Sequence, residues 1–257
     1  MIRRIALGCL AAVGITAFGA TAHAQEHDAN GLGAKGQLIL SADRLVPVLG
    51  YSSVSVSYTN GNTNVTSTDK GTSLVLMAGT EPQAANVHTL PRVGFDFTVI
   101  DRLTLGGSIL LAFGLSGSHK DETVAGATTT REYDTPTRTL IGISPRVGYI
   151  LPLTGVLGLW LRGGISFYSD KTRTQLLANN NTVIVTRSDT DSTLSLDLDP
   201  QLAIVPVQHF FFNVGPLVNI PLTGSRSHEE PNDPVRKYDL SIFHLGVSAG
   251  LGGWFDL

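Results

Sequence analysis

Apolar side chains alternate with small or polar ones along most of this chain. The clearest case begins at Leu103, where the odd-numbered residues as far as Leu115 are nearly all large and apolar. The even-numbered residues between them are mostly Thr, Gly, Ser or Ala. A period of two indicates a β-strand, because successive side chains of a strand point to opposite faces of the sheet.

Seven segments share this pattern. Their apolar faces begin at Val93, Leu103, Ile141, Leu157, Leu194, Phe210 and Phe243. An eighth segment, Lys35 to Val46, is less regular, because Arg44 falls on its apolar face. We therefore expect a β-bulge at Arg44, or a position at the membrane interface.

The connections between these segments alternate in length. Short links at 100–102, 151–155 and 207–209 alternate with long polar ones at about 116–138, 170–190 and 223–237. Short turns at one end and long loops at the other are typical of outer-membrane barrels, whereas alternation alone would also suit a soluble sandwich. Glycines on the inner face suit a narrow barrel. We predict an all-β fold, an antiparallel up-and-down transmembrane β-barrel.

The region from Leu45 to His88 decides the number of strands. Residues 51–59 and 73–79 both have the character of strands. We interpret them as a hairpin over about 47–88 that projects outside, which gives eight strands. The alternative gives ten strands, but it requires a link of about a dozen residues at the end where barrels have short turns.

The N-terminus indicates export. A basic start, Met1 to Arg4, precedes an apolar run, and Ala22 and Ala24 form the small-x-small site that a signal peptidase cleaves. We predict a signal peptide at 1–24, a periplasmic segment at 25–34 and the barrel at 35–257. The predicted location is the bacterial outer membrane.

Composition excludes several classes of protein. Cys9 is the only cysteine, so the exported chain contains no disulfide. Removal of the predicted signal peptide, which contains Arg3 and Arg4, takes the net charge from −3 to −5. This acidity argues against a nucleic-acid partner. No clustered metal-ligand spacing is present in the sequence, and we expect no cofactor.

The C-terminus resembles the β-signal by which outer-membrane barrels are recognised for assembly. Gly252, Phe255 and Leu257 carry the resemblance, although Leu257 stands where an aromatic residue is commoner. The mature chain also resembles small OmpA/OmpX-like barrels and, at 36–45 and 91–96, a family of uncharacterised outer-membrane barrels. The resemblance to these barrels implies the fold and no activity. We expect outer-membrane lipid and the barrel-assembly machinery as partners.

Strand parity places seven charged side chains inside the barrel. They are Asp43, Arg92, Asp96, Arg146, Arg162, Asp197 and Asp199. Four acids and three bases in a narrow space are expected to pair, because isolated buried ions are costly. We predict a salt-bridged, closed lumen. The alternative is a charged pathway through a small porin-like channel or transporter.

Catalytic groups are sparse. His244 faces inward beside small residues, and spacing alone matches no Ser–acid pair to it. We predict a monomeric, non-enzymatic protein with a structural or surface-interaction role through its loops, for an unidentified surface ligand. An outer-membrane lipid-modifying enzyme is a further alternative.

Overall fold

The strands close into a single ring. The structure is a computed structural model that describes residues 31–60, 63–74, 87–114, 118–125, 127–134, 136–178, 183–231 and 233–257. The predicted signal peptide, with Ala22 and Ala24, lies outside the described residues, as do residues 25–30. The division of the chain into these segments stays a prediction.

Twelve strands are present in the described part of the chain. They are β1 (Gln37–Asn60), β2 (Thr63–Leu74), β3 (Arg92–Ile100), β4 (Leu103–Gly114), β5 (Ser118–Ala125), β6 (Ala127–Asp134), β7 (Thr137–Pro152), β8 (Leu157–Ala178), β9 (Val183–Leu198), β10 (Gln201–Val207), β11 (Phe210–Glu229) and β12 (Arg236–Asp256). The described residues contain no helix long and apolar enough to cross a bilayer.

The ring has eight positions. Its order is β1, β3, β4, β7, β8, β9 with β10, β11 and β12, and β12 pairs with β1 from Gln37↔Asp256 to Ser57↔Asp239. β9 and β10 share one position, because both pair with β8 and with β11 on either side of a break at Asp199 and Pro200. The prediction of eight antiparallel strands is confirmed, and the ten-strand alternative is wrong.

The position of β2 explains why the ring has eight strands and not ten. It pairs with the upper half of β1, from Leu49↔Leu74 to Asn60↔Thr63, and lies off the ring. A second hairpin outside the ring is formed by β5 and β6. Residues 87–90 turn back into the barrel, where Val87, His88 and Thr89 are buried.

The outer face of the ring is apolar over a continuous belt. Exposed residues such as Phe95, Leu105, Ile143, Ile165 and Leu245 alternate with buried ones on their strands. On β8 and β9 the outward side chains become polar beyond Phe167 and Leu194, where Ser169, Lys171 and Ser192 follow. The strands therefore continue past the belt as polar extensions.

Candidate functional site

A β-bulge on β1 redirects Arg44. The β1–β12 register shifts between Ala42 and Val46, and Arg44 has a φ of 57°. This left-handed conformation is uncommon outside glycine, and it turns the Arg44 side chain into the lumen, where it is buried. The predicted bulge is present. The alternative position at the membrane interface is wrong.

Arg146 holds two carboxylates at the centre of the lumen. Its Nη1 lies 2.6 Å from Asp43 Oδ2, and its Nε and Nη2 donate to the two Asp96 oxygens at 3.0 and 2.6 Å. Asp43 and Asp96 are each 1% exposed, so both charges depend on protein partners. The planar guanidinium suits this arrangement, because its donors form a rigid fork.

Arg162 extends the same network. Its Nη1 lies 2.9 Å from Asp43 Oδ1, and its Nη2 lies 2.7 Å from Asp199 Oδ2. Gln201 donates to the other Asp199 oxygen, and Asn213 donates to Asp43. Continuous contacts therefore run from Asp96 through Arg146, Asp43 and Arg162 to Asp199.

Asp197 forms a separate cluster. It accepts hydrogen bonds from Ser166, Ser195 and Asn219, and Arg44 Nη2 lies 3.6 Å from its Oδ2. Arg44 is the lumen charge that strand parity missed, because the bulge reverses the parity of β1. The sequence signal for it was an arginine on an otherwise apolar face.

Arg92 is in the lumen but has a different role. Among the described residues it makes no ion pair with a carboxylate. It donates instead to the Tyr168 hydroxyl and to the carbonyl oxygens of Val87 and His88. Arg44 donates to the same His88 carbonyl at 2.6 Å. These two arginines hold the 87–90 segment inside the barrel.

The charges of the lumen balance. The seven predicted residues comprise four acids and three bases, and Arg44 supplies the fourth base. The structure brings six of the seven into ion pairs. Their cationic members also lie over an aromatic ring, since the Arg146 and Arg162 guanidinium groups are 5.7 and 4.8 Å from the centre of the Trp160 ring.

Apolar layers lie on both sides of this network. At the end with short turns, eight buried side chains pack together: Leu32, Ile39, Ile150, Trp160, Ala203, Val205, Phe211 and Trp254. Leu32 comes from the turn that precedes β1, which Gln37 secures through Gly31 and Gly33. At the other end, Val87 packs with Leu110, Leu140 and Tyr168.

One Ser–His contact occurs in the lumen. Ser52 Oγ lies 3.0 Å from His244 Nδ1, and both residues are buried. Spacing did not indicate this pair, because the two residues lie on β1 and β12. In the described part of the chain no carboxylate hydrogen-bonds to His244. The described residues also contain no group of three or more His, Cys, Asp or Glu side chains that could hold a metal ion.

The residues of the proposed assembly signal lie on β12 and just after it. Gly252 faces the interior beside Phe211, and Phe255 is exposed on the outer face. The Leu257 amide donates to the Gly36 carbonyl at 3.2 Å. Recognition of these residues by an assembly machinery stays a prediction.

Beyond the apolar belt, the extensions of β1, β9, β11 and β12 line a cavity of about 770 Å³ that is open to solvent, the mouth cavity. Its lining residues are Val56, Tyr58, Thr59, Arg187, Asp189, Arg226, His228, Arg236, Lys237 and Tyr238. Arg226 forms two hydrogen bonds of 2.7 Å with Asp191 below the cavity. His228 lies between Asp189 and Glu230, at 2.6 and 3.0 Å.

The pKa of Asp189, which lines this cavity, tests the contacts assigned to its carboxylate. Burial acts to raise its carboxyl pKa, but the hydrogen bond from His228 and the charge of Arg187 outweigh burial and lower the pKa below its usual value. The contacts therefore stabilise the extension above about pH 4 and are lost only as the pH falls through the lower, folded-state pKa. Carboxyl NMR of the folded protein is expected to give a midpoint below that of an unfolded-chain aspartate. His228→Ala is expected to raise that midpoint, and an unchanged midpoint would contradict the assigned contact.

The ring of eight antiparallel strands, closed without an edge and apolar outside, satisfies every requirement of a membrane-spanning sheet. The fold is an outer-membrane β-barrel. No protein-family model and no curated protein matches the sequence.

Several solved structures are similar to this barrel. OprG from Pseudomonas aeruginosa is 11% identical with a TM-score of 0.44, over 87% of this chain and 98% of its own. Ail of Yersinia pestis is 11% identical with a TM-score of 0.31, over 86% and 100%. The protease OmpT from Escherichia coli is 10% identical with a TM-score of 0.43, over 85% and 97%. Similarity at this level carries no argument about function.

Proposed function

We propose that the protein is an integral outer-membrane barrel with a closed interior, which acts as a structural or surface-contact protein through the extensions beyond the membrane. The observation that carries the proposal is the position of Asp43, which binds both Arg146 and Arg162. β1 lies three positions from β7 and four from β8 around the ring. These ion pairs therefore cross the lumen and connect opposite walls.

The remaining space in the lumen supports closure. The cavity among the lumen charges has a volume of about 20 Å³, and a single water molecule needs about 10–15 Å³ by this measure. The apolar layers above and below consist mainly of hydrocarbon and aromatic side chains, which replace little of the hydration of an ion. A hydrated ion would have to displace both the ion pairs and these layers.

The proposal includes no catalytic role. Ser52 and His244 are buried, and the His88 ring of the 87–90 segment stacks on His244 with ring centres 6.3 Å apart, so a lipid or peptide substrate would have to displace that segment to reach them. The apolar belt suits membrane lipid, and the C-terminal β-signal suits the barrel-assembly machinery. Within the membrane belt the closed ring leaves no strand edge to pair with a second copy, which favours a monomer.

Ion conduction in planar lipid bilayers tests the closed interior. The purified protein is expected to give no stable opening in the nanosiemens range, because the lumen has no continuous water path. An open porin reconstituted in the same bilayers provides the control. Stable nanosiemens openings that depend on the protein would overturn the proposal in favour of the porin-like alternative.

A further inference from the structure

The lining of the mouth cavity combines polar and aromatic side chains. Closure of the barrel does not explain this combination. The cavity is separated from the lumen charges by the apolar layer around Leu140 and Tyr168. Its volume of about 770 Å³ falls in the usual range of ligand sites, about 300–1,000 Å³. The cavity therefore has the size of a binding site.

The charges at the cavity surface are mainly positive. Four cationic side chains line it, namely Arg187, Arg226, Arg236 and Lys237, whereas Asp189 is the one carboxylate among the lining residues. Asp191 and Asp233, which pair with Arg226 and Arg236, are not part of the lining. A ligand in the cavity therefore meets more positive than negative groups.

The arginines retain donors for a ligand. Arg226 uses Nε and Nη2 on Asp191, Arg187 uses Nε on Asp189, and Arg236 uses Nη2 on Asp233. A guanidinium has five N–H groups, so each of the three has further donors. Their carboxylate partners hold the side chains in place, which reduces the entropy lost when a ligand binds.

Two tyrosines form an aromatic wall of the same cavity. Tyr58 on β1 and Tyr238 on β12 meet edge to face, with ring centres 5.4 Å apart. A tyrosine ring offers a flat apolar surface together with a hydroxyl group. This combination suits a ligand that has both C–H faces and hydroxyl groups, whereas a purely apolar ligand would cover the polar groups of the lining without pairing them.

We propose that the mouth cavity binds a short acidic saccharide. Its acidic group would pair with Lys237 and the arginines, its hydroxyls would bond to the remaining guanidinium donors and Asp189, and a sugar ring would pack on the tyrosines. This inference rests on the proposed surface-contact role and names the ligand class for it.

Calorimetry on the mature protein in zwitterionic detergent tests the proposal with three probes. Trigalacturonate carries carboxylates on sugar rings, maltotriose is a neutral saccharide of equal length, and inorganic phosphate is an anion without a ring. Trigalacturonate is expected to bind saturably, and the other two at least about tenfold more weakly, the difference expected from a charge-assisted hydrogen bond. Equal binding of maltotriose, equal binding of phosphate, or no binding of trigalacturonate would each overturn the proposal.

Matched substitutions locate the site. Lys237→Gln and Tyr238→Ala are each expected to weaken trigalacturonate binding roughly tenfold. Arg173→Gln removes the same charge as Lys237→Gln, but it lies in a separate cavity, beside Lys171. Arg173→Gln is expected to leave binding unchanged, and an equal loss there would indicate general attraction and overturn the assignment.

Two further measurements separate the possible failures. Heat-modifiability on gels shows whether each variant remains a folded barrel, and Lys237→Gln retains the test if Tyr238→Ala does not fold. Conductance is recorded on the same preparation. If the barrel does not conduct ions and does not bind trigalacturonate, only the saccharide site is contradicted. If the barrel conducts ions, the proposed function is contradicted.

Discussion

Replacement of Arg146 by alanine is expected to lower the free energy of unfolding by about 3–5 kcal/mol, the usual cost of breaking a buried ion pair. Arg146 supplies every ion-pair contact of Asp96 in the described residues and half of those of Asp43. Both carboxylates are 1% exposed with Arg146 in place, so bulk water does not already solvate them and offset the loss of the guanidinium contacts. The measurement is urea unfolding in micelles or bilayers, followed by tryptophan fluorescence, because Trp160 lies beside Arg146.

Two variants control this experiment. Arg187→Ala breaks the exposed pair with Asp189, for which about 0.2–1 kcal/mol is expected. Arg146→Met combined with Asp96→Asn removes both members of one buried pair, and it is expected to lose less than the sum of the two single variants. A loss for Arg146→Ala as small as that for Arg187→Ala would contradict the role of the network.

The second large effect is expected at Gly164 on β8. A Cβ on Gly164 would lie against the Pro145 carbonyl oxygen and 2.9 Å from the Arg146 Cα, both of them backbone atoms of β7. Gly164→Ala therefore has to push β7 away from β8 beside the central arginine. The expected loss of stability is about 1–3 kcal/mol, the usual cost of overpacking.

Gly163 is the matched control. The atoms nearest to a Cβ on this residue are 3.6 Å away, which is an ordinary contact. Gly163→Ala is expected to change unfolding in urea by much less than Gly164→Ala, although the two residues are adjacent. Equal losses would indicate that glycine is required for chain flexibility and not for the close approach of the two strands.

The sequence pattern predicts which residues of each strand face the lumen, because the surrounding lipid requires apolar residues on the other face. Outside the barrel only apolar side chains are stable, so the apolar face identifies the other face of each strand. Arg146 and Arg162 follow this rule and are buried at the expected positions. Arg44 does not follow this rule, because the bulge on β1 is a local backbone change that shifts which residues face the lumen. The alternation of apolar and polar residues along the strand does not show such a local change.

The extensions were harder to predict for a related reason. Beyond Tyr168 and Thr193 both faces of β8 and β9 are at least partly exposed to water, so the alternation that reveals a strand is lost. The sequence pattern at 170–190 predicts a loop, whereas β8 continues to Ala178 and β9 begins at Val183. The mouth cavity depends on these continuations.

The sequence by itself determined the barrel fold and, apart from Arg44 at the bulge, which charged side chains face inward, because lipid on one side makes every second residue informative. Only the tertiary structure decided which inward charges meet. Asp43 and Arg162 are 119 residues apart and come together through ring closure. The sequence predicts an ion pair for Arg92, but the 87–90 segment provides carbonyl oxygens instead. Such partners depend on distances across the lumen. The alternation of residues along one strand carries no information about those distances.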